Sequence, residues 1–191
     1  MLTILDEPEM RRHALPLSVS SYEKMGELGL IEEKTELIRG VIFEKMSKSP
    51  LHSGLVRTFL RAIQAILDHN QHGDLFVSPE QPLRLTDSCP EPDLAVICGR
   101  EEDFMLRHPE SARLVVEVCI STETLDREKA NLYSEAGVEE YWLVLPEKHR
   151  IERFRAPEPG GYQDHVVIPA SEICDSIVFP DLQIRLADWL V

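Results

Sequence analysis

Leu114-Val-Val-Glu117-Val118 and, upstream of it, Pro92-Asp93-Leu-Ala-Val-Ile97 are the two stretches whose reading decides the fold. Both are short runs of aliphatic and β-branched residues bounded by proline, glycine or polar clusters, the pattern of interior strands. Each carries one acid. A carboxylate in an apolar strand is costly unless it is paired or holds a metal. Alternation along 113–120 puts Glu117 on one face with Val115 and Cys119. If the two strands are neighbours, Asp93 and Glu117 reach one cation, and a divalent-metal hydrolytic site is expected. Mg²⁺, or Mn²⁺ in its place, takes one or two carboxylates and keeps several waters. Cys119, through a backbone carbonyl beside it, is the expected further ligand. Such a metal polarises a phosphoryl oxygen and acidifies a bound water.

Working outward, the polar turn Ser121-Thr-Glu-Thr124 leads to a helix expected over roughly 126–136 and stopped by Gly137. Lys129 lies near its first turn, where an ammonium orients water or stabilises charge on a phosphate. Tyr133 follows at i+4 on the same face and is assigned to substrate contact. His52, near the start of the long helix, is a second candidate for phosphate contact. Glu36 is a candidate third acid.

That long helix is the clearest in the chain. Val56, Phe59, Leu60, Ile63, Ile66 and Leu67 fall at helical spacing, from near Ser49-Pro50 to a stop before Gly73. A shorter helix is expected from Ser18 or Ser20 to Leu28, closed by Gly29. Glu36 to Glu44 alternates on either side of Arg39-Gly40, a hairpin signal. Strands are expected at 75–78, 82–86 and 93–98, then at 140–145, 151–155, 162–168 and 176–179. Residues 100–110 read as a loop or poor helix. The order implies a mixed central sheet flanked by helices, an α/β fold. An irregular arm over 1–17 precedes one domain over 18–191.

The chain has 191 residues, is 43 % hydrophobic and carries a formal charge of −14. That size supports one sizeable core. The acidity argues against a general nucleic-acid binder, which shows a basic footprint, though a basic cleft or bound metal can offset it locally. No window approaches the ~18 apolar residues of a membrane span, and the first residues lack a secretory pattern, so a cytoplasmic protein without membrane partners is expected. Cys89, Cys98, Cys119 and Cys174 match no zinc spacing and read as reduced, mostly small core hydrophobes.

The motifs taken in order resemble the Uma-two family. They are Glu36-Leu-Ile-Arg-Gly40, Ser49-Pro-Leu-His52, Pro82-Leu-Arg-Leu85, Pro92-Asp93, Leu-Val-Val-Glu117-Val, Ser121 through Asp126-Arg-Glu-Lys129, Tyr133, and Gly137-Val-Glu-Glu-Tyr-Trp142-Leu-Val. The resemblance spans roughly 18–190. It implies a restriction endonuclease-like fold of the P-D…(D/E)-x-K superfamily and a metal-dependent endonuclease acting on nucleic acid, DNA in the first place. Asp93 matches the motif aspartate, Glu117 the second acid and Glu36 the acid from the N-terminal region. The superfamily lysine stands two residues after the second acid, where this chain has Cys119. The resemblance implies that Lys129 replaces it from the following helix. One site cuts one strand, so a homodimer is expected.

Structural alternatives stand beside these roles: a turn role for Asp93, an exposed ion pair of Lys129 with Asp126 or Glu128, and a core role for Tyr141-Trp142. His69-x-x-His72 has a helical metal spacing and reads as solvated. A non-catalytic interaction module of the same fold and a small-phosphate hydrolase are the competing functions.

Overall fold

The computed structural model describes Glu9 and residues 13–32, 34–69, 74–121 and 123–190. Most of the expected arm, and His72 with Gly73, lie outside the described residues. Helix α1 spans Val19–Glu27 and is capped by the Ser18 hydroxyl, which accepts from the Ser21 N–H. Strands β1 (Thr35–Ile38) and β2 (Val41–Glu44) form the expected hairpin. Its two turn residues, Arg39 and Gly40, both have positive φ, the geometry of the tight hairpin turn.

Helix α2 (Pro50–His69) leads to β3 (Leu75–Pro79), β4 (Leu94–Cys98) and β5 (Leu114–Val118). Helix α3 (Glu123–Glu135) then crosses to β6 (Glu140–Leu145), followed by β7 (Arg150–Glu158) and β8 (Gly161–Pro169). These strands make one six-stranded sheet in the order β3-β4-β5-β6-β7-β8. Only β5–β6 is parallel, and that pair is the one joined by a helix, as a parallel connection requires. Strands β9 (Ile173–Asp175) and β10 (Gln183–Arg185) form a separate antiparallel pair.

The central strands are buried on both faces, and their alternation divides the core. Leu94 and Val96 of β4, with Leu114, Val116 and Val118 of β5, pack with Leu55, Val56, Phe59, Ile63 and Leu67 of α2. Ala95 and Ile97, with Val115 and Cys119, pack instead with Ala130, Leu132 and Tyr133 of α3. Trp142 lies in the first layer and Tyr141 in the second, both fully buried, so this pair is core.

Four expectations are corrected. Residues 82–86 are not a strand: the N–H groups of Leu83, Arg84 and Leu85 go to Pro90, Pro109 and Ser88 carbonyls instead of a ladder. Pro82, Pro90 and Pro92, which have no N–H, surround that segment. Residues 176–179 are a turn, because the Ser176 hydroxyl captures the N–H groups of Val178 and Phe179. Helix α3 begins at Glu123, inside the expected polar turn. Lys129 therefore stands in its second turn.

Glu140 is wholly buried and ties this C-terminal turn to the sheet. It accepts from Arg155 Nε (2.8 Å), Ser176 Oγ (2.5 Å) and the Ile177 N–H (3.2 Å). Replacing it, Glu140→Ala, is expected to lower unfolding stability by about 3 kcal/mol, the scale of breaking a buried charged pair. Urea unfolding monitored by Trp142 and Trp189 fluorescence checks this, and a change below about 1 kcal/mol contradicts it.

Candidate active site

Strands β4 and β5 pair as Leu94↔Val116 and Ala95↔Val115. One step further in that register sets Asp93 opposite Glu117, on the α3 side of the sheet. There the ladder stops and the side chains take over. The Asp93 N–H donates to Glu117 Oε2 (3.2 Å), and the Val118 N–H donates to Asp93 Oδ2 (2.8 Å). Each acid satisfies backbone at the other's strand, so both carboxyls are fixed where the strands part.

Helix α3 lays one buried face over this fork, carrying Asp126, Lys129, Ala130 and Tyr133. The spacing i, i+3, i+4, i+7 puts all four on one side. Lys129 Nζ lies 3.0 Å from Glu36 Oε2, 3.1 Å from Glu117 Oε1 and 3.4 Å from Asp126 Oδ1. The exposed-pair alternative for Lys129 therefore fails. Tyr133 donates to Glu117 Oε1 at 3.0 Å. From the other layer, His52 Nε2 meets Asp93 Oδ2 at 3.0 Å, and Lys48 Nζ meets Asp93 Oδ1 at 3.2 Å.

The fork opens into a cleft of about 130 Å³, walled among others by Lys45, Lys48, His52, Glu91, Ile120 and Ser121. Asp93 and Glu117 each keep one carboxylate oxygen with capacity for a cation. Glu117 Oε2 accepts only the Asp93 N–H, while Oε1 is taken by Lys129 and Tyr133. Asp93 Oδ1 meets only Lys48, while Oδ2 is taken by Val118 and His52.

Four carboxyls, from Glu36, Asp93, Glu117 and Asp126, thus share two ammoniums. Glu117 is pushed up to about 8: burial raises it most, Lys129 pulls it down, and Asp93, Asp126 and Glu36 add to the rise. Burial alone would lift Asp93 too, but the bond and charge of His52, the Val118 N–H and Lys48 hold it below its usual value. Lys129 is desolvated, yet Glu117, Glu36 and Asp126 raise it well above an ordinary lysine. It is an ammonium at all working pH values.

This donor set suits one kind of metal. Among the described residues no three His, Cys, Asp or Glu side chains surround one point as a metal cage. Two carboxylates with room for water and substrate oxygen match Mg²⁺ or Mn²⁺, and the lack of a thiolate or paired imidazoles speaks against a zinc centre.

The structure thus brings together Glu36, Asp93, Glu117, Lys129 and His52. Two expected site residues stand outside the cleft lining. Tyr133 is fully buried beneath Glu117 and does not line the cleft, so it holds the carboxylate instead of touching substrate. Helical spacing gave its face but not its depth. Cys119 packs in the α3 layer, its N–H donates to the Val144 carbonyl, and it does not line the cleft. Val118 and Ile120 do. Sequence reasoning missed Lys48 and Asp126. Asp126 carried a signal, being i−3 from Lys129; Lys48 stands in the aperiodic stretch Lys45-Met-Ser-Lys48-Ser and carried none.

A family model, Uma2 (Uma-two), described as "Putative restriction endonuclease", matches residues 22–187. The chain belongs to this family. Its structure is similar to the crystal structure of a "putative nuclease belonging to DUF820" from Anabaena variabilis ATCC 29413, with a TM-score of 0.74 and 18 % identity. The match covers 92 % of this chain and 100 % of that one. The fold is restriction endonuclease-like. No curated protein matches the chain.

The two acids give opposite pH signatures. Glu117, raised in the folded state, stays protonated there while the unfolded chain ionises. Its contribution to stability therefore falls as pH rises from the ordinary glutamate value of 4.5 to about 8. Without divalent ions, Glu117→Gln should gain on wild type in urea midpoint between about pH 5 and about pH 9. Asp93, depressed in the folded state, stabilises above the ordinary aspartate value of 3.8 and loses that contribution only as pH falls below it. A pH-independent difference between wild type and Glu117→Gln would contradict the assignment.

Proposed function

We propose that this protein is a metal-dependent endonuclease that hydrolyses phosphodiester bonds in nucleic acid, with DNA as the first substrate to test. The observation that carries the reading is the buried Lys129 ammonium, held against Glu117 beside the two carboxylate oxygens that remain open to a cation. A fold shared with nuclease families makes phosphoryl transfer the chemistry to test, but fold alone does not assign it.

Asp93 Oδ1 and Glu117 Oε2 would hold Mg²⁺ or Mn²⁺. When bound, that ion supplies a Lewis acid for a phosphoryl oxygen and an acidified water as nucleophile. Lys129 orients the attacking water or stabilises charge on the phosphate. Glu36 and Asp126 keep its ammonium from swinging away. Tyr133 fixes Glu117, and His52 fixes Asp93 from the first turns of α2, whose N-terminus favours an anion nearby. The overall charge of −14 opposes a polyanion, so the metal and the cleft lysines must supply the local attraction. That acidity and the small cleft favour one second reading, hydrolysis of a small phosphate ester at the same site.

A single site cuts one strand, so cleavage of both strands requires two copies. Strand β8 lies at the sheet margin with one edge unpaired in the sheet, and a homodimer built on it is the simplest arrangement. Light scattering showing a monomer at every concentration, with double-strand cleavage intact, would count against it.

Cleavage of single- and double-stranded DNA and RNA with Mg²⁺ or Mn²⁺ tests the main reading. Activity is expected with either metal and not in chelator. Glu117→Gln and Asp93→Asn should each lose at least about a hundredfold, and Lys129→Ala a comparable factor while still binding Mn²⁺. Lys129→Arg should rescue poorly, since its planar fork differs from a point ammonium. Undiminished cleavage by Glu117→Gln would overturn the reading; turnover of a small phosphodiester with all nucleic acids untouched would favour the second.

A further inference from the structure

We propose that Lys48 is a displaceable occupant of the cation position, standing on Asp93 when no metal is bound and passing to the substrate phosphate when one is. The inference rests on the metal-site reading above and adds a residue to it. Lys48 lies between β2 and α2. Its Nζ is 2.8 Å from Glu80 Oε1 and 3.2 Å from Asp93 Oδ1. Oδ1 is the oxygen of Asp93 left open once Val118 and His52 have taken Oδ2. An ammonium therefore sits on one of the two oxygens that a divalent ion would use.

The two lysines of the site differ in how they are held. Lys129 has a side chain only 5 % exposed and three carboxylates around its nitrogen. Lys48 is 28 % exposed, with one partner on the cleft floor and one at the rim. Its rim contact is the shorter. The backbone of Glu80 is fixed beside Asp93: it stands at φ +53, in the left-handed region that side-chain-bearing residues adopt reluctantly. Its N–H donates to the Asp93 carbonyl at 3.1 Å, which ties the rim residue to the floor residue.

Two cations on one carboxylate oxygen repel, and the doubly charged ion binds hard oxygen more strongly than an ammonium does. With a divalent ion held by Asp93 and Glu117, Lys48 would leave Asp93 and stay on Glu80. On Glu80 the ammonium would stand toward solvent, where it could meet an entering phosphate. Without metal, the same lysine neutralises Asp93 and keeps the fork from being an uncompensated acid cluster.

Direct titration with Mn²⁺ alone, by calorimetry on the full chain, tests this. Lys48→Met should bind Mn²⁺ on the order of tenfold more tightly, the scale of one lost ion-pair competitor, yet cleave more slowly at saturating Mn²⁺. Glu80→Gln, which frees Lys48 from the rim and leaves it to Asp93, should bind Mn²⁺ more weakly. Lys45→Met is the charge control. It removes the same charge from the same cleft wall, but Lys45 pairs with Glu91 at 2.6 Å and not with Asp93, so Mn²⁺ affinity should move less than about twofold. Equal tightening by Lys45→Met and Lys48→Met would reduce the effect to general charge and overturn the proposal. If wild type binds Mn²⁺ and Lys48→Met binds it no tighter, the Lys48 inference alone fails. If neither binds Mn²⁺, the metal-site reading fails with it.

Discussion

The cleft end of this protein depends on one buried ammonium. Lys129 meets Glu36, Glu117 and Asp126 within hydrogen-bond or ion-pair distance. These three carboxyls, gathered with Asp93 at the end of a sheet, would otherwise stay protonated or push the strands apart. With Lys129 in place the cluster is tolerated but still short of positive charge, and Glu117 stays raised. A site in that condition gains from a divalent ion in a way that an exposed cluster of acids does not, because exposed acids are already hydrated.

The fold exists to deliver that geometry. The parallel β5–β6 connection forces a helix back across the sheet directly after Glu117, and the buried face of that helix returns Lys129 to the strand it has just left. Helix α2, on the opposite layer, reaches the same point through His52. Two layers that share no side-chain face thus meet at the place where β4 and β5 separate, and the reciprocal bonds of Asp93 and Glu117 fix both acids there. Removing either acid leaves a backbone N–H unsatisfied at this fork.

Much of this was legible in the sequence, and the reasons are specific. Asp93 and Glu117 stood out because each is a lone acid in an apolar run, and such runs rarely tolerate one without a partner. The long helix and the β1–β2 hairpin were legible from period and turn chemistry. Lys129 was legible from the order strand, turn, helix, with the family resemblance supplying its role. Depth was not legible. Tyr133 lies on the correct face but below the carboxylate, and Cys119 has the correct parity but faces the packed helix. Lys48 was invisible because it sits in a segment without periodicity, positioned by tertiary contacts to Glu80 and Asp93 that have no local signature. The apolar alternation at 82–86 misled for a related reason: Leu83 and Leu85 are buried, but surrounding prolines and local turns divert their backbone bonds from the sheet.

The most direct measurement is anomalous diffraction from a crystal equilibrated with Mn²⁺. The account predicts a manganese peak bridging Asp93 Oδ1 and Glu117 Oε2, with Lys129 still on Glu117 and the Lys48 ammonium moved away from Asp93. Manganese bound elsewhere on the chain, with the Asp93–Glu117 fork empty and Lys48 unmoved, would contradict it.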